Sequence, residues 1–341
     1  MSQANKSGGR KKLWIIILIV VTVVALALGG LYFWFDSLVG MTGDLDDSDE
    51  TFSVEELETL FGGEEPEVEP TFQQAENVSQ GKNVINILLV GQDKRDGQKR
   101  QRSDAMILCT LNMDAKTLTF TSLMRDLWVY IPGRYNQRLN VPYKLGGFSL
   151  LNETLEYNFG VSADYNVEVD FNSFREVIDQ IGGIDIELTS SEAAYLNKRG
   201  NREFKDRTPW NLQKGMNHLD GSQALAYSRI RKIDSDFART KRQRKVLNTL
   251  LEKSRTLDAV TLYNIAKTVL PMVNTDLKTT QVLNLIMDVV PMLGELKVIS
   301  QRVPMDGQYY LTRKNGASVI AMKQSQLKAN QELLVKTMKG E

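Results

Sequence analysis

The chain has 341 residues, a quarter of them charged, with 42 Lys or Arg against 42 Asp or Glu, one histidine and one cysteine. One histidine excludes a His-rich metal site and leaves a Ser-His-Asp triad dependent on a single position, and one cysteine excludes an intrachain disulfide. The zero net charge conceals a segregation: residues 36–80 hold fourteen acids and no Lys or Arg, whereas residues 81–341 hold 38 basic against 28 acidic side chains.

Residues 1–12 end in Arg10, Lys11 and Lys12, after which Leu13 to Phe35 runs without a charge. About 20 apolar residues cross a bilayer, so 13–35 is predicted to be a transmembrane helix; it is too long for a cleaved signal core of about 7 to 15 residues. The basic flank places 1–12 in the cytoplasm and the remainder outside the cell membrane, with Tyr32 to Phe35 as an aromatic belt at the exit. So short a cytoplasmic tail excludes a DNA-binding module there, and no nucleic-acid partner is expected. Residues 36–82 are predicted to be an acidic, disordered linker, because that composition buries too little apolar surface to fold alone; Phe52–Phe61 has the pattern of a short amphipathic helix within it. Residues 83–341 then form one extracytoplasmic domain whose excess positive charge suits an anionic ligand.

Within that domain Val84–Val90 reads as a buried strand running into a loop at Gly91. Ala105–Leu111 and Leu118–Leu123 are two further strands joined at Asn112–Lys116, and Leu127–Ile131 prolongs the second until Pro132-Gly133 stops it. Ser149–Phe159 has helical spacing, Asp164–Asp170 alternates as a half-buried strand, and Phe171–Ile181 is a helix that Gly182-Gly183 ends before the strand Ile184–Leu188. Gly215–Gly221, which carries His218, reads as a turn entering a helix, with His218 an exposed or structural residue. Gln223–Ser228, Thr240–Lys253, Val260–Leu270 and Thr279–Val290 are helical, Lys297–Val303 is a strand, Gly307–Leu311 has strand character, and Gln324–Met338 closes with an amphipathic helix. Mixed strands and helices predict an α/β fold, a single α/β/α sandwich with a mixed central sheet.

Arginines and aspartates gather at the predicted strand ends: Asp93 and Arg95, Arg102 and Asp104, Arg125 and Asp126, Arg229 and Arg231, Asp236, Arg239 and Arg242-Gln243. Arginine grips phosphate oxygens bidentately and carboxylates suit a hard cation, so the set fits phosphoryl transfer, in which a protein mainly positions groups and neutralises charge. Solvated surface ion pairs explain such residues about equally well on chemistry alone. No Walker loop, Gly-x-Ser-x-Gly elbow or dinucleotide glycine motif is present. Asp93 and Asp104, at the end and start of neighbouring strands, are placed to meet across the sheet edge around Mg2+, while Arg102, Arg125, Arg229, Arg231 and Arg239 supply an anion clamp. Arg229 and Arg231 share a ligand only if the preceding helix ends near Ser228.

Several of these segments, in order, resemble the motifs of the LytR-CpsA-Psr proteins: Gly91-x-Asp93-x-Arg95, Arg102-Ser103-Asp104, Arg125-Asp126 ahead of Ile131-Pro132-Gly133, Leu139 to Tyr143 with Gly146-Gly147, Ile181 to Asp185, Leu219 to Arg231, and Asp236 to Arg239 with Arg242-Gln243. The resemblance covers about residues 83–255 and extends to the single membrane span. It implies a phosphotransferase that moves a glycopolymer, such as teichoic acid or capsule, from a polyprenyl pyrophosphate carrier to a peptidoglycan acceptor. It implies Asp93 and Asp104 as ligands of Mg2+, with Mn2+ as a substitute, Arg125 beside the attacking hydroxyl, and Arg102, Arg229, Arg231, Arg239 and Gln243 around the pyrophosphate. An arginine gives up its proton reluctantly, so Arg125 is read as a charge stabiliser and Asp126 or Asp104 as proton acceptor. Two other functions remain open at this point, a polyprenyl pyrophosphatase and a non-catalytic protein that binds lipid intermediates or regulates through them. Met124 and the Arg138–Tyr143 stretch depart from the usual motif without removing a polar group.

Overall fold

The structure is a computed structural model that describes residues 81–92, 100–200, 210–256, 273–278, 292–314 and 316–341, with short pieces between 45 and 76 and four residues between 281 and 289. The apolar run 13–35, Phe52–Phe61, Asp93, Val260–Leu270 and most of Thr279–Val290 lie outside the described residues.

β1 (Val84–Gln92) pairs antiparallel with β2 (Ser103–Asn112), which pairs antiparallel with β3 (Thr117–Leu123). The expected continuation of β3 through Leu127–Ile131 is wrong. Met124 N–H donates to Val303 O and Leu127 N–H to Met124 O, a turn that ends the strand. β4 (Trp128–Tyr130) instead pairs with β5 (Asn136–Arg138) as a separate hairpin. α1 (Val141–Phe159) starts earlier than expected and is kinked at Gly146 and Gly147, the latter at φ 60°. β6 (Tyr165–Asp170) runs parallel to β1 and leads into α2 (Phe171–Gln180), capped by the Asp170 side chain.

β7 (Ile184–Leu188), α3 (Ser190–Tyr195) and β8 (Gly215–Leu219) follow. Residues 215–219 are a strand paired to β7, not the expected turn, and His218 Nδ1 lies 2.7 Å from Asp185 Oδ1 on its exposed face. α4 (Gly221–Ser228) and α5 (Asp236–Ser254) carry the later motifs. β9 (Val273–Thr275), β10 (Lys297–Val303), the hairpin β11 (Tyr310–Lys314) and β12 (Ala317–Ala321), and α6 (Gln324–Lys339) complete the described chain.

The main sheet has the order β10-β3-β2-β1-β6-β9 and is mixed, with β6 parallel to β1 and β10 parallel to β3. Strand alternation sends Leu88, Val90, Met106 and Leu108 to one face, where Leu151, Leu155 and Phe159 of α1 and Leu327 and Leu334 of α6 cover them. Ile107, Cys109 and Phe120 point to the other face, beneath Leu247 and Leu251 of α5. Two covered faces explain the nearly continuous apolar runs of β1 and β2, and each fully buried Leu or Ile contributes roughly 1.5–3 kcal/mol. The expected α/β/α layering with a mixed sheet is what the residues build, and it brings the end of β1 and the start of β2 beside α4 and α5.

Candidate active site

Asp104 owes its position to an irregular pairing. β1 and β2 match Gly91 to Ala105 and Gln92 to Ser103, so Asp104 is the extra residue of a β-bulge. A bulge bends a strand end and re-aims its side chain. Asp104 Oδ1 accepts from Arg125 Nη1 at 2.6 Å and from Arg231 Nη2 at 3.1 Å. Burial works to raise the Asp104 carboxyl, but Arg231, Arg125 and Arg239 outweigh it and hold the group below the usual carboxylate range.

Arg125 sits in the turn after β3. Burial alone would lower it, yet Asp236, Asp126 and Asp104 hold it above the ordinary arginine value. Asp126 Oδ2 stands 3.6 Å from Arg125 Nε, and its Oδ1 stands 3.8 Å from Arg138 Nη1. Arg102 lies apart from this network; burial, with Arg138 and Arg125 nearby, lowers it.

α4 fixes the next pair. Asp220 caps its first turn in a capping box with Gln223, and Gly221 N–H donates to Asp179 Oδ1 at 2.7 Å. A Cβ at Gly221 would stand 2.3 Å from Arg175 O, so only glycine lets α2 and α4 approach so closely. The helix ends at Ser228, as sharing a ligand requires, with Arg229 as its C-cap. The Arg229 guanidinium lies 4.3 Å over the Phe171 ring.

Ser235 caps α5 and puts Asp236 and Arg239 in its first turn. Asp236 was not singled out from the sequence as a site residue, yet it is the hub of the cluster. Its Oδ2 accepts from Arg239 Nη2 at 2.9 Å, and its Oδ1 stands 3.8 Å from Arg125 Nε and 3.9 Å from Arg231 Nε. Arg239 is 2 % exposed, and burial pushes it down to about 10.

A cavity of about 560 Å³ opens beside these groups. Asp104, Arg229, Arg231, Lys232, Arg239 and Gln243 line its polar part, while Leu89, Ile107, Val169, Phe174, Leu225 and Leu247 are among its apolar walls. Asp104, Arg229, Arg231, Arg239 and Gln243 are therefore brought to one cavity. Arg125 is joined to it through Asp104, and Arg102 and Asp126 lie outside its lining. Lys232 was missed; its only signal was adjacency to Arg231.

The geometry is that of an amphiphile site, with an anion grip at one end and a slot for hydrocarbon beyond it. The LytR_cpsA_psr family model matches residues 54–336. The chain belongs to that family. Among its relatives is the polyisoprenyl-teichoic acid–peptidoglycan teichoic acid transferase TagT of Bacillus subtilis (strain 168), 33% identical over 200 residues, which are 58% of this chain and 61% of that protein. The chain thus spans about three fifths of the length of that curated relative. TagT bound to LIIa-WTA superposes with a TM-score of 0.62 at 26% identity, covering 80% of this chain and 98% of that one. TagT with bound octaprenyl pyrophosphate lipid gives 0.58 at 25% identity, covering 79% and 97%. The α/β fold with its mixed sheet is thus a family fold.

Proposed function

We propose that this chain is a phosphotransferase that moves an anionic glycopolymer of the teichoic acid class from a polyprenyl pyrophosphate carrier to peptidoglycan, while anchored in the cell membrane by residues 13–35. The observation that carries the reading is the cavity whose apolar walls end at Asp104, Arg229, Arg231 and Arg239. Apolar side chains hold a prenyl chain, and the arginines neutralise the pyrophosphate as charge shifts onto the leaving oxygen. The acceptor hydroxyl oxygen attacks the phosphorus that bears the glycan, the bond to the bridging oxygen breaks, and polyprenyl monophosphate leaves with the electron pair. Arg125, held cationic by three carboxylates, stabilises the developing charge and is no base. Asp126 is the better proton acceptor, because its nearest cations stand off at 3.6 and 3.8 Å whereas Asp104 Oδ1 already accepts two charged hydrogen bonds.

Asp104 suits a Mg2+ ligand, since it is held anionic and both its hydrogen bonds fall on one oxygen. With Asp93 and substrate phosphates it would complete the hard-oxygen set that Mg2+ takes, and the ion would supply further charge neutralisation. Arg102, close enough to Arg138 and Arg125 to be lowered by both, would add positive charge toward the pyrophosphate. The test is mass spectrometry of lipid co-purified with the full chain from a bacterium. Polyprenyl phosphate or pyrophosphate is expected with the native chain and not with Arg229→Ala, Arg231→Ala, and release of polyprenyl monophosphate is expected only when peptidoglycan is added. No lipid in either sample would overturn the reading.

A further inference from the structure

A second cleft, of about 400 Å³, lies between the tip of the β4–β5 hairpin and α1. Pro132, Gly133 and Arg134 line it from the hairpin, and Gly146, Ser149, Leu150 and Glu153 from the helix. Ser149 and Glu153 are exposed and stand four apart, on one face of α1. The hairpin tip is locked opposite them: Ile131 N–H donates to Tyr135 O at 2.9 Å, Arg134 N–H donates to Ile131 O at 3.0 Å, and Gly133 takes the left-handed φ of 68° that the turn needs. Gly147, at φ 60° and ψ -149°, holds a conformation essentially reserved to glycine, and this kink sets the Gly146 backbone at the cleft. Two segments of the family resemblance, Ile131-Pro132-Gly133 and Gly146-Gly147, take no part in the apolar cavity and meet here.

Both walls start at the reacting groups. The hairpin leaves Asp126 and returns to Arg138, and the Asn140 N–H ahead of α1 donates to Arg125 O at 3.1 Å. At a rise of 1.5 Å per residue Gly146 is about 9 Å along α1 from that bond, and Arg134 is roughly 13 Å along β5 from Arg138. Tyr135 spans the interval. It packs on Ile131, Val141, Leu145 and Leu150, and Arg134 and Arg102 stand near enough to oppose the rise that burial imposes on its hydroxyl. The cleft also belongs to the far side of the sheet: α1 covers Leu88 and Met106, whereas Ile107 and Leu247 of α5 wall the apolar cavity on the opposite face. Phosphoryl transfer aligns attacking and leaving oxygens. With the carrier phosphate leaving into the apolar cavity, the acceptor comes to Arg125 from the side on which this cleft lies. Its lining suits a sugar: Glu153 accepts from hydroxyls, Arg134 and Ser149 donate to hydroxyl or amide oxygens, and Pro132 and Leu150 offer small apolar faces to ring C–H groups. One cation and one anion cancel, so the cleft gives a polyphosphate no net attraction, unlike the arginine cluster.

We propose that this cleft is a subsite for the acceptor strand, holding a ring of an N-acetylated glycan one or two units from the ring whose hydroxyl attacks. The proposal rests on the transferase reading, and its test measures glycan binding without turnover and apart from lipid retention. Affinity of the full chain in detergent is measured by calorimetry for a peptidoglycan hexasaccharide freed of its peptides, beside polyglycerol phosphate. Glu153→Ala removes the carboxylate and Ser149→Trp fills the cleft, both at exposed positions where the fold tolerates change. Each is expected to weaken the hexasaccharide about tenfold or more at an unchanged melting temperature, while polyglycerol phosphate binds as it does to the native chain. Arg229→Ala, Arg231→Ala is expected to leave hexasaccharide binding unchanged. No measurable binding by the native chain, or native affinity in both cleft variants, would overturn the proposal. So would a matching loss for polyglycerol phosphate, which would give the cleft to the donor polymer. The lipid experiment decides the transferase reading separately: absent lipid with these losses intact would leave a glycan site and remove the transferase.

Discussion

Asp236 shows how a residue can be plain in a motif and still hidden in its role. From the sequence it is the first acid of Asp236-Phe237-Ala238-Arg239, and only the i,i+3 spacing to Arg239 hints at a bond. Its tie to Arg125 joins segments more than a hundred positions apart, and its tie to Arg231 crosses the turn before α5, neither of which a local pattern encodes. The arginines themselves were legible because no other residue set in the chain offers phosphate chemistry. As the internal counter-ion of three cations, Asp236 competes with an incoming pyrophosphate for the same guanidinium groups. Asp236→Asn is therefore expected to cost about 2–4 kcal/mol of stability, since it strips a mostly buried ion network of its shared carboxylate. The same change is expected to leave binding of polyprenyl pyrophosphate as tight as in the native chain or tighter. Denaturant unfolding and lipid titration check the two signs; weaker lipid binding at unchanged stability would show that Asp236 contacts the ligand instead of holding its grip in place.

Among the elements, the helices and the β1–β2–β3 meander follow from periodicity, whereas the small hairpins do not. Leu127–Ile131 and Gly215–Leu219 were misread because a three-residue or polar strand carries too little periodicity of its own and is defined by the partner that supplies its ladder, here the nearby Asn136–Arg138 and the more distant Ile184–Leu188. The segment between α4 and α5 depends on tertiary support in the same way. Arg242 of α5, buried at 7 % side-chain exposure, donates through Nε to Glu192 Oε1 at 2.7 Å and through Nη1 to Ile230 O at 3.1 Å, and it also pairs with Asp234. It thereby pins the carbonyl that lies between Arg229 and Arg231. Burial works to raise Glu192, but the Thr189 N–H and Arg242 outweigh it and lower its pKa. A carboxylate whose folded pKa is depressed adds stability above its unfolded value of about 4.3, and that contribution is lost as pH falls through the folded value. Glu192→Gln keeps the capping oxygen but not the charge. It is expected to cost about 1.5–3 kcal/mol at pH 7, the range for a hydrogen bond to a charged group, and progressively less toward pH 3. Urea midpoints at the two pH values measure this, and a gap that stays constant with pH would show that the ion pair contributes nothing.

At the scale of the whole molecule, the stretch read as a free linker is partly fastened to the domain. Glu67 O accepts from Asn136 N–H at 2.8 Å, its carboxylate takes Trp128 Nε1 at 3.3 Å and pairs with Lys314, and Phe72 packs against the main core. Ala75 N–H donates to Tyr157 O at 2.8 Å, and a Cβ on Gly160 would stand 2.2 Å from Glu76 O, so the end of α1 is shaped to let this strap pass. Fourteen acids without a base made the stretch read as uniformly solvated; composition averages over the few residues that dock. Charge does have a part in the docking, because Glu67 meets Lys314 on a domain that carries the excess of basic residues. The strap meets the β4–β5 hairpin, which leads from Asp126 to Arg138, and so braces that part of the site from outside. A chain beginning at residue 81 is expected to be less stable than one beginning at residue 65 by about 2 kcal/mol, the sum of one exposed ion pair, two or three backbone hydrogen bonds and one half-buried phenyl ring after its ordering cost. For a domain of this size that is a melting temperature lower by roughly 4 to 8 °C. Calorimetry on the two chains tests it: equal melting temperatures would return the stretch to the role of a loose tether, whereas the expected drop makes it part of the folded unit.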